Sequence, residues 1–267
     1  MSTTLLHEIL LTNVLRQSAL KSAIVNLQLP KGSMGLDAGC GPGLQCLLLA
    51  EEIGPEGHVT GLDVDPELLA YGEDMVKEAG LEARISFEEG SIATIPYDHN
   101  TFDWVWSADC VGYGPWEPMP LLNELKRITK PGGILALIAW SSEHLLPGYP
   151  VLEAKLSATT PGISPFSKTM KPSRHFPRAL GWLRELGLVE CVADVFSGSV
   201  HAPLNEEIYQ GLKALFEMRW PGVEQELSKE DLDLYNRLCK FDSPDFIIQH
   251  PDYYAFFTYS MFWGKVA

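Results

Sequence analysis

The stretch 36-LDAGCGPG-43 decides how this chain is read. Behind Asp37 stand glycines at 39, 41 and 43, and an apolar, helix-forming run, 44-LQCLLLAEE-52, follows at once. Glycines at alternate positions mark a turn whose backbone adopts conformations that side chains resist and lies open to close approach. Set between a strand and a helix, such a turn aims main-chain N–H groups at whatever occupies it.

Working outward, short apolar runs alternate with helical ones. The strand candidates are 33-SMGLDA-38, 58-HVTGLDV-64, 84-RISFEEG-90, 102-FDWVWSA-108 and 133-GILALIAW-140. Helical patterns lie between them at 43–52, 66–79 and 118–129. Asp65 before Pro66 reads as an N-cap and first turn, with Gly80 as the matching stop. Strands alternating with helices at this pace predict parallel β-α-β units in an α/β, doubly wound sheet. Two helices are expected ahead of it. One covers 1–17, with Leu5, Leu6, Ile9, Leu10 and Val14 at helical spacing, and the other covers 18–30 and stops near Pro30.

Beyond Trp140 the rhythm changes. Residues 141–173 are rich in Pro, Ser, Gly and Thr, with a short helical piece around 150–157. A helix at about 175–186 and a strand at about 188–196 resume the sheet, and 255-AFFTYSMFWGKV-266 closes it. Between these last strands stand two more helices. Asn205 caps the first, with Ile208, Leu212, Leu215 and Phe216 on one face, and Ser228 caps the second, with Asp231 three positions on. A hairpin needs two to five residues where this connection has about fifty, so it reads as an insertion. The expected plan is an N-terminal helical cap over 1–30, a core over 31–196 and 253–267, and lid insertions over 141–173 and 197–252.

Composition narrows the partners. With 46% hydrophobic and 21% charged residues in 267, the chain has ample material for a core. Acidic residues outnumber basic ones 35 to 20, a net charge of −15, which repels phosphate backbones and anionic membranes. The richest basic stretch, 168-KTMKPSRHFPR-178, is short, so neither nucleic acid nor membrane is an expected partner. Five scattered cysteines without a C-x-x-C pair fit reduced thiols in the cytoplasm, with no disulfide framework and no metal site. His7, Glu8 and Arg16 break the apolar start, so an amphipathic helix rather than a signal peptide is expected there, and no apolar run is long enough to span a bilayer.

Two ligand classes use a glycine turn of this kind. A dinucleotide fingerprint reads G-x-G-x-x-G, but the sixth position is Leu44 counting from Gly39 and Cys46 counting from Gly41. What stands here is D-x-G-x-G-x-G. Asp63, at the end of the next strand, is placed to accept the ribose hydroxyls of an adenosine in either class.

Four passages then stand in order: 36-LDAGCGPG-43, 61-GLDVDP-66, 90-GSIATIPYDHNTFDWVWS-107 and 131-PGGILAL-137. In that order and at those separations they resemble the class I S-adenosylmethionine-dependent methyltransferases, of the small-molecule type that includes ubiquinone and menaquinone methyltransferase relatives. The third passage carries Pro96 and Phe102-Asp103 where the family has its P and F-D, and Lys130 opens the K-P-G-G of the fourth. The resemblance covers about residues 30–140, is weaker over 175–196 and 255–266, and is absent from the insertions. It implies a mostly parallel, seven-stranded Rossmann-like methyltransferase sheet with helical lid insertions, and S-adenosylmethionine as cofactor.

Carried onto this chain, the resemblance places Gly39, Cys40 and Gly41 along the methionine part, with Asp37 near its ammonium group. It gives Asp63 the ribose hydroxyls, Val64 the adenine face, and Ser91 and Ile92 the adenine edge. Ser107 and Asp109, just past the fourth strand, border the sulfonium. The chain departs from many relatives in having Ser91 where they have an aspartate.

The implied reaction is methyl transfer to oxygen, carbon or nitrogen of a small organic acceptor by in-line displacement. It requires alignment, exclusion of water and, for some acceptors, removal of a proton. The loop 106-WSADCVGYGPW-116 offers Tyr113 and Trp116 as substrate walls, or as ordinary packing beneath the lid. The stretch 107-SADC-110 lacks the N-P-P-Y of base-methylating relatives, and 140-WSSEH-144 lacks the Asp-Asn pair of metal-dependent ones. No catalytic base is fixed by sequence. His144 leads because it follows the fifth strand, His175 and Glu143 come next, and Arg16 reads as a surface residue or a partner of the cofactor carboxylate. The alternative to catalysis is a regulatory protein that binds S-adenosylmethionine without methyl transfer.

Overall fold

The sheet is assembled around the strand that precedes the glycine turn. The computed structural model describes residues 2–114 and 116–267. Met1, at the head of the expected cap, and Pro115, in the loop expected to wall the acceptor, lie outside them. The order opens with α1 (Ser2–Asn26), β1 (Met34–Ala38), α2 (Leu44–Ile53), β2 (His58–Asp63), α3 (Pro66–Glu78) and β3 (Ile85–Glu89). It continues with β4 (Phe102–Ala108), α4 (Pro118–Ile128), β5 (Thr129–His144), α5 (Pro150–Ser157), α6 (Ala179–Glu185) and β6 (Val189–His201). It ends with α7 (Glu206–Arg219), α8 (Lys229–Cys239) and β7 (Tyr254–Lys265). The seven strands lie in the order β3-β2-β1-β4-β5-β7-β6, and β7 runs antiparallel to both its neighbours. The expected doubly wound, mostly parallel sheet is the one observed.

Parallel strands covered on both faces must be apolar nearly throughout. In β4, Trp104 and Trp106 are both buried, and their indole N–H groups are satisfied by Ser33 Oγ at 2.9 Å and Gln45 Oε1 at 2.8 Å. The helices begin where their caps dictate. Asp65 accepts from the N–H groups of Glu67 and Leu68, Asn205 from Ile208, and Ser228 from Asp231. One apolar layer joins α1, α2 and α3 to one face of the sheet, and another joins α4 and α6 to the other. A third cluster, including Leu212, Phe216, Trp220, Tyr235, Phe246 and Phe257, knits α7 and α8 together beyond the carboxyl ends of β5 and β6. Each such side chain contributes about 1.5–3 kcal/mol of burial, enough to hold this part of the chain as a packed body.

Three expectations are corrected. The two N-terminal helices are one, α1, because Leu15, Ala19, Leu20, Ala23 and Ile24 form an unbroken buried stripe and no Gly or Pro interrupts it. The K-P-G-G passage does not open β5 but lies within it. Phe102 pairs with Thr129 and Trp104 with Ile134, so Pro131, Gly132 and Gly133 bulge out of register. β5 and β6 also run past their expected ends to His144 and His201, because both pair with the long β7. No described helix is long and apolar enough to cross a membrane.

Candidate functional site

The glycine turn is held by its own hydrogen bonds. The N–H groups of Gly39 and Cys40 both donate to the Leu62 carbonyl, at 2.8 and 3.1 Å. That of Gly41 donates to Asp63 Oδ2 at 2.8 Å, while Asp63 Oδ1 accepts from the Asp65 N–H at 3.0 Å. Gly39 has φ +80°, and a Cβ there would lie 2.4 Å from Cys110 Sγ, so the turn and the loop after β4 touch across this position. Gly41 has φ +53°, and a Cβ there would meet nothing within 4 Å. The surface above Gly41 is therefore open, which is what a cradle requires.

Beneath the turn, Asp37 is 1% exposed. Its Oδ2 accepts from the Cys46 thiol at 3.4 Å, and its Oδ1 has no hydrogen-bond partner among the described residues. Burial pushes the Asp37 carboxyl up to about 7. Around the rim, Val64 is exposed and Ile92 half-buried. The Ser91 hydroxyl turns back to accept from the Ala93 N–H at 3.2 Å. The buried Ser107 hydroxyl donates to the Ala38 carbonyl at 2.8 Å, tying the end of β4 to the end of β1.

The 108–114 loop also borders a cavity of about 760 Å³, bounded by α1, β5, β7, the 157–177 segment and α7. Asp109 enters it from β4 with φ +48°. Its carboxylate accepts from the Trp140 N–H at 2.8 Å and from the Tyr259 hydroxyl at 3.1 Å, and Arg16 stands 3.7 Å away. Burial raises its pKa, and the Arg16 charge opposes that rise. Glu143 makes a second cluster, bonded to Arg219 Nε and to the Trp140 indole N–H. Arg219 also donates to the carbonyls of Pro161 and Gly162, at 3.2 and 2.9 Å. Trp140 thus joins the two ion pairs, one through its main chain and one through its ring.

The structure brings Asp109 and Tyr113 into the cavity, with Glu143 and His175 also lining it. Tyr113 meets Phe176 edge to face, with ring centroids 6.5 Å apart. Arg16 lines the cavity rather than the outer surface. Trp116 does not line it and is 67% exposed. Nor does His144, whose Nδ1 pairs with Glu153 at 3.0 Å. Sequence reasoning missed Trp140, Arg219 and Tyr259. An arginine in the last turn of a helix reads as a partner of the helix dipole, and nothing local marks it as part of a site.

Residues 36–133 match the methyltransferase domain family. Over 133 residues the chain is 38% identical to a demethylmenaquinone methyltransferase of Listeria welshimeri, a stretch covering 48% of this chain and 53% of that one. Over 130 residues it is 34% identical to a demethylmenaquinone methyltransferase of Anoxybacillus flavithermus, covering 47% and 52%. The chain thus spans about half the length of the curated relatives it matches. Among solved structures, the YcgJ protein of Bacillus subtilis superimposes with a TM-score of 0.57 at 15% identity, over 93% of this chain and 98% of that one. A geranyl diphosphate methyltransferase gives a TM-score of 0.51 at 12% identity, over 94% and 85%. At such identities the likeness is one of fold.

Proposed function

From the methyltransferase domain that residues 36–133 carry, we infer that the chain transfers a methyl group from S-adenosylmethionine to a small organic acceptor. The observation that supports this most is the pairing of an open glycine turn with a buried carboxylate oxygen, Asp37 Oδ1, that has no hydrogen-bond partner among the described residues. The positive charge of an ammonium group lying above the turn favours the ionised form of the carboxylate beneath it. The residues present therefore fit the cofactor.

On this reading Gly39, Cys40 and Gly41 lie along the methionine part, where Gly41 leaves room against the backbone. Asp63 takes the ribose hydroxyls. Each of its oxygens already accepts one N–H and keeps a second lone pair, so the same carboxylate shapes the turn and receives the sugar. Val64 supplies an exposed apolar face for adenine, with Ser91 and Ile92 at its edge. Ser107 and Asp109 border the sulfonium. Ser107 does so through its position, since its hydroxyl is committed to Ala38. When bound, the cofactor supplies a methyl group on a cationic sulfur, which leaves as a neutral thioether.

The chain's own part is to align, enclose and screen. The 108–114 loop borders both the cradle and the cavity, with Cys110 against Gly39 and with Asp109 and Tyr113 lining the cavity. Burial pushes the Cys110 thiol up to about 12, so it stays protonated and does not compete as a nucleophile. The cavity takes the acceptor, and α5, α7 and α8 act as the lid that keeps water out. The net charge of −15 and the five unpaired cysteines support a cytoplasmic protein that does not engage nucleic acid.

Calorimetry with S-adenosylhomocysteine tests the reading. The native protein is expected to bind it, and Asp63→Ala to lose about a hundredfold in affinity through the loss of two hydrogen bonds to a charged group. Unchanged affinity in Asp63→Ala, or no binding by the native protein, contradicts it.

A further inference from the structure

The charge lining the cavity is opposite in tilt to the rest of the molecule. The chain carries −15 overall, yet Arg16, Arg174 and Arg219 face the cavity against only two carboxylates, Asp109 and Glu143. Both carboxylates are committed to the protein. Asp109 serves the Trp140 N–H, Tyr259 and Arg16, and Glu143 serves Arg219 and the Trp140 indole. The third cation, Arg174, pairs at 3.5 Å with Glu117, which does not line the cavity and whose side chain is 60% exposed, where solvent screens it. His175, the remaining titratable nitrogen on the wall, adds no negative charge.

One polar group is left over. The Tyr113 hydroxyl has no hydrogen-bond partner among the described residues and lies in the field of Asp109, Arg219, Glu143 and Arg16. Burial first, and the Asp109 carboxylate second, hold it as a neutral phenol, so it presents a donor. The remaining wall includes apolar side chains, Ile163, Phe166, Met170, Phe176, Leu215 and Met218. A donor without a partner, an excess guanidinium charge and apolar walls together specify an anion on an apolar body. The planar fork of a guanidinium matches a carboxylate in particular.

We propose that the acceptor is an apolar monocarboxylate, its carboxylate received by Tyr113 and the arginines of the cavity and its body lying against the apolar wall. This rests on the reading of the cavity as the acceptor site, and it separates the acceptor from neutral, lipid-like molecules. The rival explanation for the same cations is the carboxylate of the cofactor itself, so the test must distinguish the two.

Three probes of one shape are titrated calorimetrically into the full chain: 4-biphenylcarboxylate, its neutral carboxamide, and the cationic 4-biphenylmethylamine. Each is measured with and without saturating S-adenosylhomocysteine. The carboxylate is expected to bind about tenfold or more tightly than the carboxamide, as a charge-assisted bond in a largely desolvated site allows, and the amine least. That preference persists with S-adenosylhomocysteine bound. Arg174→Gln and, independently, Tyr113→Phe each reduce it to near parity, weakening the carboxylate more than the carboxamide. Equal or tighter binding of the carboxamide or amine overturns the proposal, as does binding of no probe, or a preference that neither variant alters. Loss of carboxylate binding when S-adenosylhomocysteine is present also overturns it, by assigning the cations to the cofactor. Failure of S-adenosylhomocysteine itself to bind counts instead against the proposed function, since the probe preference is read without it.

Discussion

Asp63 and Gly41 are joined by a 2.8 Å hydrogen bond from main-chain N–H to carboxylate, so the end of β2 fixes the shape of the turn after β1. That bond leaves the face of Gly41 open, with nothing within 4 Å of where a Cβ would lie. The consequence is a clean separation of folding from binding. Gly41→Ala carries only the cost of a side chain in the left-handed region, about 1–2 kcal/mol, yet its methyl group stands where the ligand must lie. The expected result is a modest fall in melting temperature and loss of S-adenosylhomocysteine binding, measured by calorimetry. Full binding by Gly41→Ala places the ligand elsewhere.

Asp37 gives the site a pH signature. Burial raises its pKa to about 7, above the ordinary carboxylate value, so in the ligand-free protein it takes up a proton as pH falls through neutrality. An ammonium ligand requires the ionised form. Affinity for S-adenosylhomocysteine is therefore expected to fall about tenfold per pH unit below this pKa, with a proton released on binding under those conditions. The same shift acts on stability in the opposite sense. The folded state holds the proton that the unfolded state gives up, so stability of the ligand-free protein declines as pH rises from the usual carboxylate range toward 7. Asp37→Asn is expected to flatten that decline while weakening binding, as pH-dependent urea unfolding and calorimetry will show.

Arg16 ties α1 to the cavity. Its removal leaves the half-buried Asp109 carboxylate with two neutral donors and no ion-pair partner. Arg16→Ala is expected to lower stability by about 1–2 kcal/mol in urea unfolding, between the scales for exposed and buried ion pairs. Asp109→Asn in the Arg16→Ala background should restore most of it. An additive double variant contradicts the coupling.

His144 provides the control. It pairs with Glu153, whose Oε1 is separately engaged by the N–H groups of Leu145 and Leu146, so that carboxylate keeps partners without the imidazole. His144→Ala should cost less than about 1 kcal/mol, as for exposed pairs, and leave S-adenosylhomocysteine affinity unaltered. A large loss of binding would return His144 to the site.

The parts of the molecule legible in the sequence are those specified locally. Asp65 and Pro66 announce α3 because capping is settled within one turn, and the glycines at 39, 41 and 43 announce the cradle because each adopts positive φ. Which residues of β5 line the cavity was not legible. Trp140 to Glu143 all line the cavity across an irregular stretch of β5, while the next residue, His144, pairs with Glu153 instead, and a choice between such neighbours depends on what packs against the strand's end. Arg16, Trp140, Arg219 and Tyr259 meet only because α1, β5, α7 and β7 converge at the carboxyl edge of the sheet. Nothing local marks such residues, because their partners lie far away along the chain.

A crystal structure with S-adenosylhomocysteine bound decides whether the glycine turn cradles the cofactor. Its amino group is expected over Asp37, its methionine part along Gly39 to Gly41, its ribose hydroxyls on Asp63, and its sulfur toward Asp109. Density elsewhere, the opposite orientation over the turn, or an empty cradle at saturating ligand contradicts that placement.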